Sequence, residues 1–391
     1  MGSRIMAAAF GALISLNALG QVQLVIGDNG TTLVQKTYTR ELAVGKVEMR
    51  LESLPAQTIP ESVTLSETSG TAPAKVLSQR LTCKEKPGGP ADDMGLSYTL
   101  DSPADGPRTF TLSYLVRGQT WQSEYNAFLA PDRTSVRFEG WISLSNQTSG
   151  QYSSPRITLA RSAPDAAAQY PPERSSSASG FIESSLMPLE GVETLDPFST
   201  MRVPLLNTPQ IAITPFLECE TAGRAYREEC MYSDHMPPAP SVWWWVELGN
   251  TPENGMGKVL QKGSIRVFQQ TAQGMILLNT GTLDTAQPAQ KMRIRIAPEP
   301  GITVKKQVKQ PGDGLKQDGS GGRNMVQSIS LTSTLDAPRE VRVFDRPESV
   351  RRGTAVSDAS DLYKTLDDGR MEFRVEVTPG TERIITYTTA M

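Results

Sequence analysis

Residues 371–377 read Met-Glu-Phe-Arg-Val-Glu-Val, and this stretch decides the fold class. Apolar side chains occupy every second position, and Glu or Arg stands between them. Successive side chains of a β-strand point to opposite faces of the sheet, so this alternation predicts a strand with one buried face and one solvated face. Strands of that kind are typical of antiparallel sheets that cover a single core.

The same period of two recurs elsewhere along the chain. No long segment has apolar residues at helical spacing, and 28 prolines and 32 glycines favour turns. We therefore predict an all-β protein made of antiparallel β-sandwich domains, with few or no long helices. The apolar positions of the other alternating segments are Val47, Met49, Leu51; Phe110, Leu112, Tyr114, Val116; Val136, Phe138, Ile142, Leu144; and Met292, Ile294, Ile296.

A chain of 391 residues is long enough for two or three domains. Residues 85–107 are rich in proline and glycine and indicate a junction. We predict a small N-terminal β-domain over 21–104 and a larger β-sandwich domain over 105–391. Two stretches inside the larger domain, 161–180 and 305–325, have the Ala/Pro/Ser-rich or basic, Gly-rich composition of mobile segments.

The first 20 residues have the pattern of an export signal. Arg4 supplies a positive charge, residues 5–16 form an apolar run too short to span a bilayer, and Ala18-Leu19-Gly20 resembles a cleavage site. The alternative is a buried first helix or an uncleaved anchor. No later stretch approaches membrane-spanning length. We therefore expect a mature chain without a transmembrane segment, located in the periplasm or outside the cell.

Charge and histidine content exclude several classes of function. The chain has 39 Lys and Arg against 42 Asp and Glu, a net charge of −3, which gives no electrostatic reason to expect nucleic acid as a partner. The single histidine, His235, excludes metal sites built from several imidazoles. We expect no metal and no cofactor.

Export makes disulfide bonds relevant for the three cysteines, Cys83, Cys219 and Cys230. We favour a Cys219–Cys230 bond over any pairing with Cys83, because short local loops close most easily. The alternative is three unreactive thiols. No Cys-x-x-Cys motif is present, and nothing beside these residues indicates an activated nucleophile.

Four segments follow one another in a recognisable order: 33–63, the Trp121 to Ala160 region with its Gly-Trp-Ile-Ser-Leu-Ser-Asn-Gln-Thr-Ser-Gly motif at 140–150, the glycine-marked 254–268, and 363–387. Together, in this order, they resemble the mucoidy-inhibitor A type of bacterial protein. Longer members carry a coiled coil between the two domains, whereas residues 85–107 offer only a short bridge. The resemblance implies an N-terminal domain and a C-terminal β-domain. It also implies a family of mostly unknown function that is associated with cell-surface polysaccharide. It supplies no catalytic motif.

The most conspicuous candidate for binding is Trp243-Trp244-Trp245. In a strand, Trp243 and Trp245 point one way and Trp244 the other. Such residues could stack against sugar rings. The interpretation we prefer is that both faces pack inside the protein, since large aromatic side chains are usually well buried.

Candidate catalytic groups are weaker. Ser233-Asp234-His235 contains the residue types of a triad, but adjacent residues rarely assemble one. Glu124, Glu139 and Glu247 lie near aromatic residues in strand-like segments and are the acids to inspect first for a glycosidase pair. The basic stretch that begins at Lys305 and Lys306 could contact an anionic polymer or a lipid surface, but we prefer the interpretation of a solvated, flexible tip.

These observations favour a structural or interaction protein of the bacterial cell envelope that is not an enzyme, with an envelope protein or a polysaccharide as partner. The alternative is a glycan-binding protein or a glycan-active hydrolase that uses carboxylates.

Overall fold

The computed structural model describes residues 21–69, 72–83, 93–161, 186–221, 240–309, 324–346 and 356–390. The predicted export signal lies outside these residues. The fold is all-β, as predicted, and the only helices in the described ranges are short 3-10 turns at Pro60–Ser62 and Pro252–Asn254. No helix in the described part of the chain is long and apolar enough to cross a lipid bilayer.

The strands follow one another closely along the chain. The first fourteen are β1 (Val22–Gly27), β2 (Thr31–Leu42), β3 (Gly45–Arg50), β4 (Leu54–Pro55), β5 (Thr64–Glu67), β6 (Lys75–Cys83), β7 (Asp93–Ser102), β8 (Gly106–Arg117), β9 (Gln119–Leu129), β10 (Ser135–Asn146), β11 (Tyr152–Ser153), β12 (Arg156–Ala160), β13 (Met187–Leu189) and β14 (Thr194–Leu195). The others are β15 (Ser199–Asn207), β16 (Ile211–Ala212), β17 (Phe216–Glu220), β18 (Ser241–Gly249), β19 (Gly263–Thr271), β20 (Gly274–Leu283), β21 (Lys291–Lys309), β22 (Asn324–Ser333), β23 (Arg339–Asp345), β24 (Val356–Ser357), β25 (Tyr363–Thr365), β26 (Met371–Val377) and β27 (Arg383–Ala390).

The alternating segments form the strands that the sequence predicts. In β26, Met371, Phe373, Val375 and Val377 are all buried, and Glu372, Arg374 and Glu376 lie on the other face. In β8 the four predicted inward positions are likewise buried. Burial of one side of each strand against a shared apolar core supplies the main stabilisation of such sheets.

The chain forms two compact units that interleave in sequence. Of the described residues, those within 1–122 and 142–203 form the first unit, and those within 123–141 and 204–391 form the second. The domain boundary predicted at residue 104 divides the chain into two consecutive segments. In the structure, β2 (Thr31–Leu42) pairs with β8 (Gly106–Arg117), so strands from both sides of that position share one sheet.

The first unit contains a six-stranded sheet in the order β13-β12-β1-β2-β8-β5 and a smaller sheet in which β7 pairs with β3, β4 and β6. A buried asparagine in this unit explains part of the 140–150 motif. The Asn146 amide nitrogen donates to the carbonyl oxygens of Gly150 and Asp196 at 2.8 Å each, and its Oδ1 accepts from the Thr148 hydroxyl at 2.7 Å. The motif therefore closes a turn with side-chain hydrogen bonds that replace missing backbone partners.

The second unit contains two sheets. One has the order β15-β10-β9-β19-β20, with β16 also pairing with β10. The unit includes residues 123–129 of β9, 135–141 of β10 and 204–207 of β15. The other sheet has nine strands in the order β24-β27-β22-β21-β18-β17-β23-β26-β25.

The long strand β21 makes the nine-stranded sheet fold over on itself. Its first part pairs with β18 from Lys291 to Pro298, and its last part pairs with β22 from Ile302 to Lys309. Strands from the two ends of the sheet then share one core, where the rings of Phe373 in β26 and Tyr387 in β27 stack at 5.9 Å. A second apolar cluster packs the β18 and β21 side chains Val246, Leu248, Met292 and Ile294 against β9, β10 and β19. The second unit is therefore a β-sandwich with two adjoining apolar clusters.

One basic residue lies where the sequence does not predict it. The expectation of a solvated tip is wrong for Lys306, which belongs to β21, faces the core and pairs with the fully buried Asp345 at 2.6 Å. The Tyr387 hydroxyl donates to the other carboxylate oxygen at 2.6 Å. Buried charges persist only when they are paired and hydrogen-bonded, as these are. Residues 310–323, and those of 161–180 after 161, lie outside the described ranges.

Candidate functional site

The strands β21, β18, β17 and β23 lie side by side in the nine-stranded sheet, and one of their faces is buried in the apolar clusters. Alternation sends every second side chain of these strands to the other face. This outer surface carries arginines and aromatic rings together. We refer to it as the aromatic–arginine face, defined by Phe216, Trp243, Trp245, Arg293, Arg295 and Arg342.

The three tryptophans divide between the two faces in the directions that the sequence predicts. Trp244 points inward, packs against both apolar clusters and donates from its indole nitrogen to Glu299 at 2.9 Å. Trp243 and Trp245 stand on the outer face and are half-buried. The interpretation preferred from sequence is that both faces pack inside the protein. In the structure it holds for Trp244 alone, because Trp243 and Trp245 contact arginines at the surface.

Each outer ring has a guanidinium group against it. The Arg295 guanidinium carbon lies 4.3 Å from the Trp243 ring centroid, and that of Arg293 lies 4.9 Å from the centroid of Trp245. Arg342 stacks on Phe216 at 3.9 Å. A cation over an aromatic face is attracted by about 0.5–1 kcal/mol at exposed sites. These contacts hold the arginines in place and cover part of each ring.

Two carboxylates complete the cluster. Glu218 forms a close ion pair with Arg293. Glu247 lies 3.8 Å from the Nε of Arg293, 3.9 Å from Arg342 and 3.7 Å from Lys291. Among the described residues, these ion pairs join three cations, Lys291, Arg293 and Arg342, with two carboxylates, and Arg295 adds a fourth cation on the same face, so the set carries an excess of positive charge.

Burial also changes the acidity of one of these groups. Glu218 is 7% exposed, and this burial raises the pKa of its carboxyl group above the ordinary value, an effect that the charge of Arg293 opposes. Arg295 differs from its neighbours, since no carboxylate among the described residues lies within ion-pairing distance of it. The surface therefore combines arginines held by carboxylates with one arginine held only by a ring.

The acids selected from sequence have basic side chains as ion-pair partners. Glu124 is buried beside Arg266 at 3.4 Å, and Glu139 forms a close ion pair with Arg137 on its own strand. Glu247 belongs to the aromatic–arginine face. Each of the three therefore lies against at least one cation.

The other sequence candidates are placed as follows. Cys219 is buried in β17, and burial raises the pKa of its thiol to about 12. Cys230 lies outside the described residues, as do Ser233, Asp234 and His235, so the Cys219–Cys230 bond stays a prediction. Within the described ranges, no group of three or more His, Cys, Asp or Glu residues could hold a metal ion.

Sequence reasoning selected the tryptophans and missed the residues that cover them. The alternation of Arg293 and Arg295 with Met292, Ile294 and Ile296 carries a signal, because it places both arginines on one outer face. Phe216 and Arg342 carry none. They meet because β17 and β23 pair in parallel over a separation of more than a hundred residues.

No protein-family model matches the chain, and no curated protein shows significant similarity to it. The resemblance to mucoidy-inhibitor A proteins therefore stays a prediction.

Proposed function

We propose that this chain is an exported, non-enzymatic binding protein of the bacterial cell envelope, located in the periplasm or outside the cell. It contacts an envelope protein through the aromatic–arginine face. The observation that carries this proposal is the stacking of Arg293, Arg295 and Arg342 on half-buried aromatic rings at the outer surface of the sheet. The N-terminal export pattern and the family resemblance support the location.

The composition of the face suits a protein partner. Tryptophan and arginine are the residue types most enriched among those that dominate binding energy in protein interfaces. The ring contacts and the Glu218 and Glu247 ion pairs already fix the arginine side chains, so binding loses less conformational freedom than it would with mobile ones. Arg295, which has no described carboxylate partner, offers its guanidinium group to an acidic residue. We therefore infer a partner with carboxylates at the contact.

A glycan is the second candidate. Trp243 and Trp245 stand two residues apart on one face, about 7 Å along the strand, and sugar rings stack on exposed indoles. The stacked arginines argue against it, since a sugar would have to displace Arg295 and Arg293 from the rings. A hydrolase receives less support, because the inspected acids face arginines.

A charge reversal tests the proposal directly. The mature chain is used to recover crosslinked proteins from the envelope of its own host, beside Arg295→Glu and the matched control Arg80→Glu, which changes an exposed arginine of the first unit. We expect Arg295→Glu to reduce recovery of a specific protein by tenfold or more, because it removes on the order of one charge-assisted contact. We expect Arg80→Glu to leave the recovery unchanged. Equal recovery with all three proteins contradicts the proposal.

A further variant, Trp243→Ala, separates the glycan alternative. Binding of purified envelope polysaccharide that disappears in Trp243→Ala, with no protein recovered by the wild type, would replace the protein partner by a sugar. Recovery of the protein partner that falls as salt is raised supports the proposal, because screening weakens contacts between exposed charges.

A further inference from the structure

The strand β20 forms one edge of the second unit's smaller sheet, and it has an unusual composition for an edge. Its ten residues, Gly274–Leu283, include no charged side chain and no proline. Three consecutive apolar residues, Met275, Ile276 and Leu277, are 50%, 46% and 54% exposed. An edge strand presents unpaired backbone groups and is a template for pairing with another strand, so proteins normally protect it.

The other edge strands in the described part of the chain have such protection. Some are only two to four residues long, as in β5, β11, β13, β14, β24 and β25. The longer ones carry charges or proline: β3 has Lys46, Glu48 and Arg50, β6 has Lys75 and Arg80, and β15 has Arg202 and Pro204. Among the described edges longer than four residues, β20 alone has neither device.

The exposed triplet continues into an apolar stripe on the sheet. Leu277 is the register partner of Phe268 in β19, and the Phe268 ring stacks on Phe128 of β9 at 5.3 Å. Arg137 of β10 lies over Phe128 at 4.3 Å and ends the stripe. In the later part of β20, the Asn279 amide donates to the Arg295 carbonyl at 2.9 Å. Around Ile276, β19 is the only strand in the described part of the chain that pairs with β20. The edge around Ile276 is therefore the part available for pairing.

We propose that β20 pairs with β20 of a second copy of this chain, antiparallel and about a two-fold axis at Ile276. A strand that joins this edge must be long, uncharged and apolar, because a charged side chain brought against the triplet would lose its hydration. Among the described edge strands only β20 itself meets this requirement. The two-fold arrangement places Ile276 beside its own copy and Met275 opposite Leu277, and it joins the two small sheets into one. The inference does not depend on the proposed function, which uses the other sheet.

The test is the oligomeric state of the mature chain, measured by light scattering after size exclusion and by sedimentation over a range of concentrations. We expect a dimer for the wild type, and a shift of the dissociation constant by a hundredfold or more for Ile276→Lys. Leu362→Lys is the matched control, since Leu362 is 96% exposed, lies in the same unit and directly precedes β25, an end strand of the other sheet, so this variant should remain dimeric.

A second variant, Met275→Lys, places the charge on the other face of the strand and should weaken the dimer as well. Circular dichroism and the thermal midpoint identify any lysine variant that fails to fold. The other lysine variant then tests the dimer. A wild type that is monomeric up to about 100 µM, a concentration well above that of a weak specific dimer, overturns the proposal. So does a dimer that both lysine variants leave intact, or an edge that binds a strand of another protein only.

Discussion

The inner and outer faces of strands β17, β18, β21 and β23 arise from one alternating pattern and use their polar groups differently. On the inner face, aliphatic side chains fill the core, and the ion pair of Lys306 with Asp345 is nearly dry. On the outer face, arginines lie on rings and share carboxylates at the edge of solvent. The inner arrangement contributes to stability, because its groups are shielded from water. The outer arrangement leaves charged groups in place for contact, and the following variants separate the two roles.

The largest effect is expected at the buried carboxylate. Asp345→Ala removes the partner of Lys306 and of the Tyr387 hydroxyl, and leaves a charged amine buried. We expect the free energy of unfolding to fall by about 3–5 kcal/mol in urea denaturation. The double variant Asp345→Leu with Lys306→Met should recover much of this loss, because it removes both buried charges together.

A matched outer pair shows the contrast. Arg374→Ala removes an ion pair with Glu372 at 2.8 Å on the exposed side of β26, and we expect a change within about 1 kcal/mol. If the two single variants lost similar stability, the distinction between the faces would fail.

The tryptophans give the next effect in size. Trp244→Ala removes a ring that packs against both apolar clusters, and we expect a loss of about 3 kcal/mol, at the low end for tryptophan because the ring is only half-buried. Trp243→Ala removes a surface stack on Arg295 and should cost about 1 kcal/mol or less. Chemical denaturation of the two variants in one buffer measures the difference, and equal losses would contradict it.

The smallest effect is a pH dependence at the border between the faces. Burial raises the folded-state pKa of Glu218 above its ordinary value of 4.5, so the folded protein holds this proton at a pH where the unfolded chain has released it. The contribution of Glu218 to the free energy of unfolding is then greatest below pH 4.5 and falls as pH rises above it. Glu218→Gln should remove this fall.

Urea denaturation from about pH 4 to about pH 7 measures it as the difference between wild type and variant. A difference that grows in favour of the wild type with rising pH would mean that the attraction of Arg293 outweighs burial.

Local alternation made the strands and their inward positions predictable. Met371 to Val377 and Met292 to Ile296 needed no information beyond their own side chains, since burial of one face is a local property of a strand. The directions of Trp243, Trp244 and Trp245 followed in the same way. The sequence pattern did not predict which residue covers each ring. It does not distinguish an arginine that is close to a tryptophan in sequence from one that reaches the ring across the sheet.

The remainder depends on long-range pairing. The basic composition around Lys306 indicates solvent exposure, and only Asp345 and Tyr387, contributed by β23 and β27, make its burial favourable. The interleaving of the two units also depends on pairings such as that of β1 with β12, which no local signal specifies. Loop closure over such distances is a property of the whole chain.

The most direct test of the division between a structural face and a contact face is a paired measurement on Trp243→Ala. Partner recovery from the envelope and the free energy of unfolding are determined on the same preparation, beside Trp244→Ala. We predict that Trp243→Ala loses tenfold or more in recovery while its stability changes by about 1 kcal/mol or less. Full recovery combined with a loss of stability as large as that of Trp244→Ala would show that the outer tryptophan is part of the core and would contradict the account.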